Sequence, residues 1–583
     1  MANSGIRFRI GVTGHRDVDS SEYEAVTRAA ENAFSQIKGL LPNTPISLIT
    51  GMADGADRIL AQVALKFGFE VEAVLPMPME YYRKDFEPES LAELEAVLEE
   101  SAVSCLALPL ADDLNTDESS WSPADRDSLY ANLSDYLRRH ANLLVAVWDG
   151  EFNQLPGGTG DTVLRSLEIG EEILDPQWRH GKSGQLGGRS MVCWIPTRRV
   201  ANESKDLQQG KASGDVCWIS TNGLKLECWD LLPDDFMDEL QYFDQFNGQY
   251  NQLSDAGEME SYGDLLGGCE EELGSDASMF VDANRAYLMA DSLALYHQKR
   301  SDRLFALFSL MAAAMGLLFL VYAKLAAVQL LLIGYLVLFF GGVLMLKRST
   351  KREWFSRHLV YRCLAENLRV RFYLDLVSEG DGVNIQGLLR SAGISSLPGF
   401  SWIRHVLVSS RPAFMLVGNF GGDSSDRIDL VKKHWIDDQG AYFNRKYHAM
   451  HHKHHQLESI KTIIVSGLVI AAVILIFFKK ALVGMEFTAN LSLKTLLIFF
   501  MGLFPFWLGV WEIYQGKMAV KELMWQYRNQ GMRFERAAKD IGDSDSVEYD
   551  RTVILDLGMT SILENSQWII HRYHREHEPP TAG

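Results

Sequence analysis

At 583 residues the chain is too long for one hydrophobic core, so several domains are expected. Its net charge of -20 argues against nucleic acid as the main partner, because proteins that hold phosphate backbones carry a basic face. The six cysteines show no C-x-x-C spacing, which fits a reducing compartment and offers neither a zinc site nor a disulfide framework.

No apolar run follows Met1, so no cleaved signal peptide is expected. IRFRIGVTGHRD opens the chain as a strand in which Ile6, Phe8, Ile10 and Val12 alternate, ending in a glycine loop at Thr13, Gly14, His15 and Arg16. A helix is expected from about Ser20 to Leu40. A second strand follows at Ile46 to Ile49, then a loop with Gly51 and Gly55, and a helix with Ile59, Leu60, Val63, Ala64 and Phe67 on one face. Further strands are read at Val71 to Pro76, Val103 to Leu110, Asn142 to Gly150 and Ser190 to Pro196. Strands alternating with helices predict a parallel sheet, which places ligands at the carboxyl ends of its strands. Three glycine loops fall there: Thr13 to Arg16, Gly51 to Asp57, and Leu155 to Asp161. Glycine lets backbone approach a ligand closely, and the amides of a following helix suit phosphate.

GVTGHRD, ITGMADGAD and PGGTGD after the VAVWDG strand resemble the SLOG superfamily, a Rossmann-like group of nucleotide-processing enzymes and sensor domains. The resemblance covers about residues 5 to 200. It implies that the glycine loops cradle the phosphates and ribose of a nucleotide, through Thr13, Gly14, His15, Arg16, Gly51, Gly55, Gly157, Gly158, Thr159 and Gly160. Asp57 is expected to cap its helix or brace the loop, and Arg16 to be either solvated or paired with a phosphate. The phosphoribohydrolases of that group carry a PGG-x-G-T-x-x-E pattern with a working glutamate. Here Asp161 and Leu164 stand at its threonine and glutamate positions, and Glu168, Glu171 and Glu172 come too late, so binding is favoured over hydrolysis and no catalytic residue is assigned. His15 has no evident carboxylate partner beyond Asp17.

Residues 201–277 read as a polar linker with a helix starting near Pro233, and the acidic run from Asp255 to Asp276 as a solvated loop. From Ser278 the pattern predicts a helix running without a break into an apolar span, Leu304 to Ala323. A second span, Ala326 to Leu346, follows after Lys324 and Leu325. Each is long enough to cross a hydrocarbon core of about 30 Å. Arg352 to Leu376 reads as a basic amphipathic helix, 381–440 as a connector, and a second pair of spans as Ile463 to Phe478 and Leu496 to Tyr514. Cations flank the near side of both pairs, which predicts cytoplasmic flanks and termini. Tyr296-His297 and Tyr361-Arg362 have loose counterparts in Tyr447-His448 and Tyr527-Arg528, so a helix, hairpin, helix unit is read twice, at 278–380 and 441–583. This duplicated unit is similar to SLATT modules, two-span effector domains joined to SLOG domains in bacterial conflict systems. In HAMHHKHH, residues 448–455, five histidines invite a metal reading, but a titratable juxtamembrane helix is the simpler one, and no metal site is assigned.

The expected fold class is therefore an α/β Rossmann-like (SLOG) cytoplasmic domain plus an all-α four-span transmembrane domain. The expected function is an inner-membrane effector, forming homo-oligomers in the lipid bilayer, that answers a small-molecule nucleotide signal of the ADP-ribose class and permeabilises the membrane in anti-phage defence. No cofactor and no nucleic acid are expected. A membrane-tethered phosphoribohydrolase and a ligand-gated ion channel are the alternatives.

Overall fold

Strands that are apolar along their whole length are stable only when covered on both faces, and the buried runs of the amino-terminal half meet that condition in a mostly parallel sheet. A computed structural model describes residues 5–110, 114, 117–152, 155–167, 177–180, 190–200, 207–222, 225–259, 263–378, 385–412, 424–483, 486–488, 491–518 and 520–577. The strands are β1 (Phe8–Gly14), β2 (Ile46–Thr50), β3 (Glu70–Leu75), β4 (Val103–Ala107), β5 (Leu143–Trp148), β6 (Gln177–His180), β7 (Val192–Pro196), β8 (Cys217–Asn222) and β9 (Lys225–Trp229). Their spatial order is β4-β3-β2-β1-β5-β7-β8-β9-β6. From β4 to β7 all neighbours are parallel, and β8 runs antiparallel to both β7 and β9. The chain steps outward from β1 to β4 and then returns to the other side of β1 as β5. That reversal separates the connections leaving β1 and β5 and opens a crevice at their carboxyl ends.

The sheet does not stop near residue 200. β8 and β9 fall in the stretch expected as a linker, because Cys217, Ile219, Leu226 and Cys228 share one face and join Trp148 and Trp194 in a buried cluster under the helix Thr159–Ser166. Five- and six-residue strands carry too little periodicity to stand out from a polar neighbourhood. The helix Asp234–Asp255 follows, starting where Pro233 predicts.

The chain divides into two compact units, residues 1–290 with 364–423, and 291–363 with 424–583, a division that differs from the boundaries expected at 200 and 380. Residues 385–412 belong with the α/β unit through buried polar contacts. The side chain of Asn142, just before β5, accepts from the Arg9 amide at 2.8 Å and the Ser409 hydroxyl at 2.8 Å, and donates to the His405 carbonyl at 2.8 Å. Glu239 pairs with Arg404 at 2.8 Å and His405 at 3.2 Å. Burial would raise the Glu239 carboxyl, but these two partners hold it at about 2.

The second unit is helical apart from a short antiparallel pair of strands, Glu486–Thr488 and Leu491–Ser492. Among the described residues, four helices are long and apolar enough to cross a membrane. The first is continuous from Val281 to Lys324. Gln329–Arg352 follows and ends at Glu353, whose φ of 49° turns the chain into Trp354–Val377. Asp438–Val483, Leu493–Met518 and Val520–Gly542 repeat that order, and Val547–His577 is added. Within this unit, Trp507 donates its indole N–H to the Ala313 carbonyl at 3.0 Å, and Gly316 lies under Phe506.

Asn142→Ala leaves the Arg9 amide and the His405 carbonyl buried without their partner. Its expected cost is about 2–4 kcal/mol, read as a clear drop in melting temperature of the detergent-solubilised protein. An unchanged melting temperature would show that residues 385–412 are not held through Asn142.

Candidate functional site

The carboxyl end of β1 is fixed between two neighbours. The His15 amide donates to the Val147 carbonyl of β5 at 3.1 Å, and the His15 carbonyl accepts from the Ala56 amide at 3.1 Å. Contact with the second loop is close enough to dictate glycine. A Cβ at Gly14 would stand 2.3 Å from that of Ala56, and a Cβ at Gly55, whose φ is 73°, would stand 2.5 Å from the Arg16 carbonyl oxygen. Inside the second loop, the Asp57 carboxylate accepts from the Ala53 amide at 3.3 Å, and the Gly51 carbonyl accepts from the buried Tyr82 hydroxyl at 2.8 Å. Asp57 thus braces the loop in the first turn of the helix Ala56–Lys66. Burial, opposed by its hydrogen bonds and by Arg16, pushes its carboxyl from the ordinary 3.8 up to about 6.

The third loop is held from behind. Gly157, φ 72°, would place a Cβ 2.6 Å from the Ala131 amide nitrogen and 2.7 Å from Tyr130 Cβ, so it backs onto the helix Pro123–His140. The Gly157 amide donates to Asp161 at 3.0 Å, and the Gly158 amide donates to the Leu155 carbonyl at 2.9 Å. Gly158 is the N-cap of the helix that Thr159 and Gly160 open, so the third loop ends at a helix amino terminus, an environment that favours anions.

Tyr130 joins the first and third loops. Its backbone supports Gly157, its ring lies 5.0 Å beneath the Arg16 guanidinium, and its hydroxyl accepts from Arg16 Nη2 at 2.8 Å while donating to Asp85. Burial, opposed by Arg16 and reinforced by Asp85, pushes the phenol up to about 12, so it keeps its proton at neutral pH. Arg126 completes the chain, bonding Asp85 at 2.6 Å and Glu118 at 2.7 Å. Arg16 is therefore exposed but engaged with an aromatic neighbour.

His15 has a carboxylate partner after all, and it is Asp149 rather than Asp17. Its Nε2 lies 3.2 Å from the Asp149 amide nitrogen and 3.2 Å from Asp149 Oδ1, at the reversal between β1 and β5. Burial would raise the Asp149 carboxyl, but the His15 ring and the Glu151 amide hold it below the ordinary value. Asp17 is taken by Arg199 at 2.9 Å. Asp149, Tyr130 and Asp85 carry no local motif, and distance in sequence hides them from His15 and Arg16.

The structure thus gathers Thr13, Gly14, His15, Arg16, Gly51, Gly55, Asp57, Gly157, Gly158, Thr159 and Gly160 around β1, β2 and β5 at one sheet edge. Leu164 lies in the helix Thr159–Ser166, while Glu168, Glu171 and Glu172 lie outside the described residues. Of the five histidines at 448–455, all on the helix Asp438–Val483, His448, His451, His452 and His455 are exposed, and no group of three metal-ligating side chains meets among the described residues. The edge offers glycine-lined backbone, a helix amino terminus, one exposed guanidinium and a histidine–carboxylate pair.

Because the folded chain raises the Asp57 carboxyl, it holds an extra proton between about pH 4 and pH 6, and stability falls as pH rises through that window, by at most about 3 kcal/mol. In Asp57→Asn this fall should be absent, so melting temperatures of the two proteins should converge or cross as pH rises from 4 to 7. Parallel melting curves across that range would refute the assignment. No protein-family model matches the chain, and no curated protein and no solved structure matches it significantly.

Proposed function

We propose that the α/β unit is a Rossmann-like nucleotide sensor and that the four apolar helices are its output. In this reading the chain is a multi-pass protein of the cytoplasmic membrane with both termini inside. It binds a small nucleotide-derived signal, with the ADP-ribose class favoured, and permeabilises the membrane as a homo-oligomer, in keeping with its resemblance to SLOG and SLATT proteins in bacterial defence. The observation that carries the reading is the meeting of three glycine loops at the strand-order reversal, in a chain that also has four candidate spans. Gly14, Gly55 and Gly157 let the three loops pack closely against their neighbours, and Gly158 N-caps the helix whose amino terminus would receive a phosphate. A ligand drives the output only by binding one state of the protein more tightly than the other. A single span would suffice as an anchor, whereas two matched hairpins make the membrane part a working element.

Gly158→Asp tests this cleanly. Aspartate is a favoured N-cap, and φ -73°, ψ 163° suits it, so the helix is retained while a carboxylate occupies the expected phosphate position. In liposomes containing the wild-type protein, ADP-ribose or NAD should trigger dye release, and the variant should bind neither and release nothing. Dye release that ignores every nucleotide in a panel of cyclic and linear ADP-ribose compounds would end the proposal.

The His15–Asp149 pair favours a second reading, a membrane-tethered nucleotide-processing enzyme. The Asp149 carboxylate against His15 Nε2 is the kind of contact that orients an imidazole for general acid–base work. Under the sensor reading, nucleotides incubated with the protein are recovered intact. Turnover that is abolished by His15→Gln would select the enzyme.

A further inference from the structure

The helix Val281–Lys324, which enters the first apolar span, and the helix Trp354–Val377, which follows the second, meet through two histidines on the amino-terminal side of that span. His358 is 5% exposed, and its Nδ1 lies 3.1 Å from the Ala294 carbonyl oxygen. A carbonyl only accepts, so Nδ1 carries the proton and the bond is made with the ring neutral. His297, one turn beyond Ala294, is 2% exposed, and its ring lies against Tyr296 (centroids 5.2 Å) and Tyr361 (5.5 Å). Among the described residues neither nitrogen of His297 has a hydrogen-bond partner. A buried imidazole without a partner packs less favourably than a leucine in the same place, so packing alone does not account for it. What leucine lacks is a site for a proton.

The charges around the pair are mostly positive. The helix of His297 brings Arg300, whose guanidinium lies 4.2 Å from the Tyr296 ring centre, and Asp302. Trp354–Val377 brings Arg357, which lies 3.6 Å from Glu353, and Arg362, which lies 3.2 Å from Asp291. The helix Val547–His577 brings Arg572, whose guanidinium lies 5.5 Å from the Phe355 ring centre. Among the described residues no carboxylate pairs with either imidazole. Burial, reinforced by Arg357 and Arg300, pushes His297 down to about 3, and burial followed by Arg572 does the same to His358. We propose that His297 and His358 form a proton-responsive contact at the base of the first hairpin, holding the two helices together while the rings are neutral and releasing them when acidification charges the rings. A folded value below the ordinary 6.5 gives packing that is fully favoured above about pH 6.5 and weakens as pH falls. An imidazolium at His297 meets arginines and no acceptor, whereas outside the contact water solvates it. Because the helix runs unbroken from His297 into the span, release there reaches the hairpin directly. The contact acts whether or not the α/β unit binds a nucleotide.

Hydrogen exchange of the full-length detergent-solubilised protein at pH 7.5 and pH 5, corrected for the intrinsic pH dependence of amide exchange, reads the release directly. In peptides covering 292–303 and 354–362, exchange through local opening should rise at pH 5 by about thirty-fold for each imidazole that moves from about 3 to the ordinary 6.5 on release. That rise should far exceed any change in β1 and β5. His297→Leu and His297→Gln are neutral at every pH, and each should reduce the rise by about thirty-fold. The leucine variant should also be at least as well protected as the wild type at pH 7.5. No local rise on acidification, or a rise of wild-type size in both variants, would overturn the proposal. Gly158→Asp, which tests the nucleotide site, should leave the acid response unchanged, so the two readings fail separately.

Discussion

No side chain fits at Gly55, because the carbonyl oxygens of His15 and Arg16 occupy the space. That contact fixes the rest of the site. It pins the end of β1 against the second loop and directs Arg16 away from it, toward Tyr130. Tyr130 in turn supports Gly157, so the position of the third loop follows from the helix that carries Tyr130. The hydrogen bonds from His15 to Val147 and from Ala56 to His15 tie β1 on both sides. A sheet that put β1 at an edge could not make these contacts; the reversal of strand order around β1 is what allows three separate loops to share one place.

Much of this was legible in the residues alone, for a physical reason. Parallel strands covered on both faces are predominantly apolar: β5 and β7 are short uninterrupted apolar runs, β1 and β2 admit only Arg9, Ser47 and threonines near their ends, and β1, β2 and β5 lead into glycine-bearing loops. β8 and β9 were hidden because they alternate Cys217 and Ile219 with polar or aromatic neighbours and lie in a hydrophilic stretch. Within the site, glycines announce themselves through the conformations they allow, whereas the groups that set the chemistry do not. Asp149 meets His15 and Tyr130 meets Arg16 across more than a hundred residues, and Asp85 bonds Tyr130 from another helix. The correction from Asp17 to Asp149 as the His15 partner has this origin: sequence proximity suggested one carboxylate, and strand adjacency supplied the other.

The membrane helices follow a different economy. Their apolar surfaces cannot be stabilised against one another by burial alone, because lipid is an equally good solvent for them, so specific contacts decide how they pack. Small residues and single polar groups provide these here. Gly316 admits Phe506, Gly502 meets Leu320, and the Trp507 indole reaches the Ala313 carbonyl. Lys461, just before the span Ile463 to Phe478, pairs with Glu512 in the last turn of the span Leu496 to Tyr514. The spans carry no Asp, Glu, Lys, Arg or His between Leu304 and Ala323 or between Ile463 and Phe478.

Regulation by a ligand requires a part of the site that can change partners, and most of this edge cannot. Gly14, Gly55 and Gly157 are fixed by steric contact, and Asp57 is held by the loop it braces. Arg16 is different. Its guanidinium is exposed, and what holds it is one hydrogen bond and one ring face, both of which a phosphate can replace with a stronger charge-assisted pair. Removing Arg16 from Tyr130 leaves the phenol bonded to Asp85, and Asp85 bonded to Arg126. A ligand that recruited Arg16 would gain an ion pair and leave the Tyr130–Asp85–Arg126 chain bonded, with Tyr130 still supporting the back of the third loop.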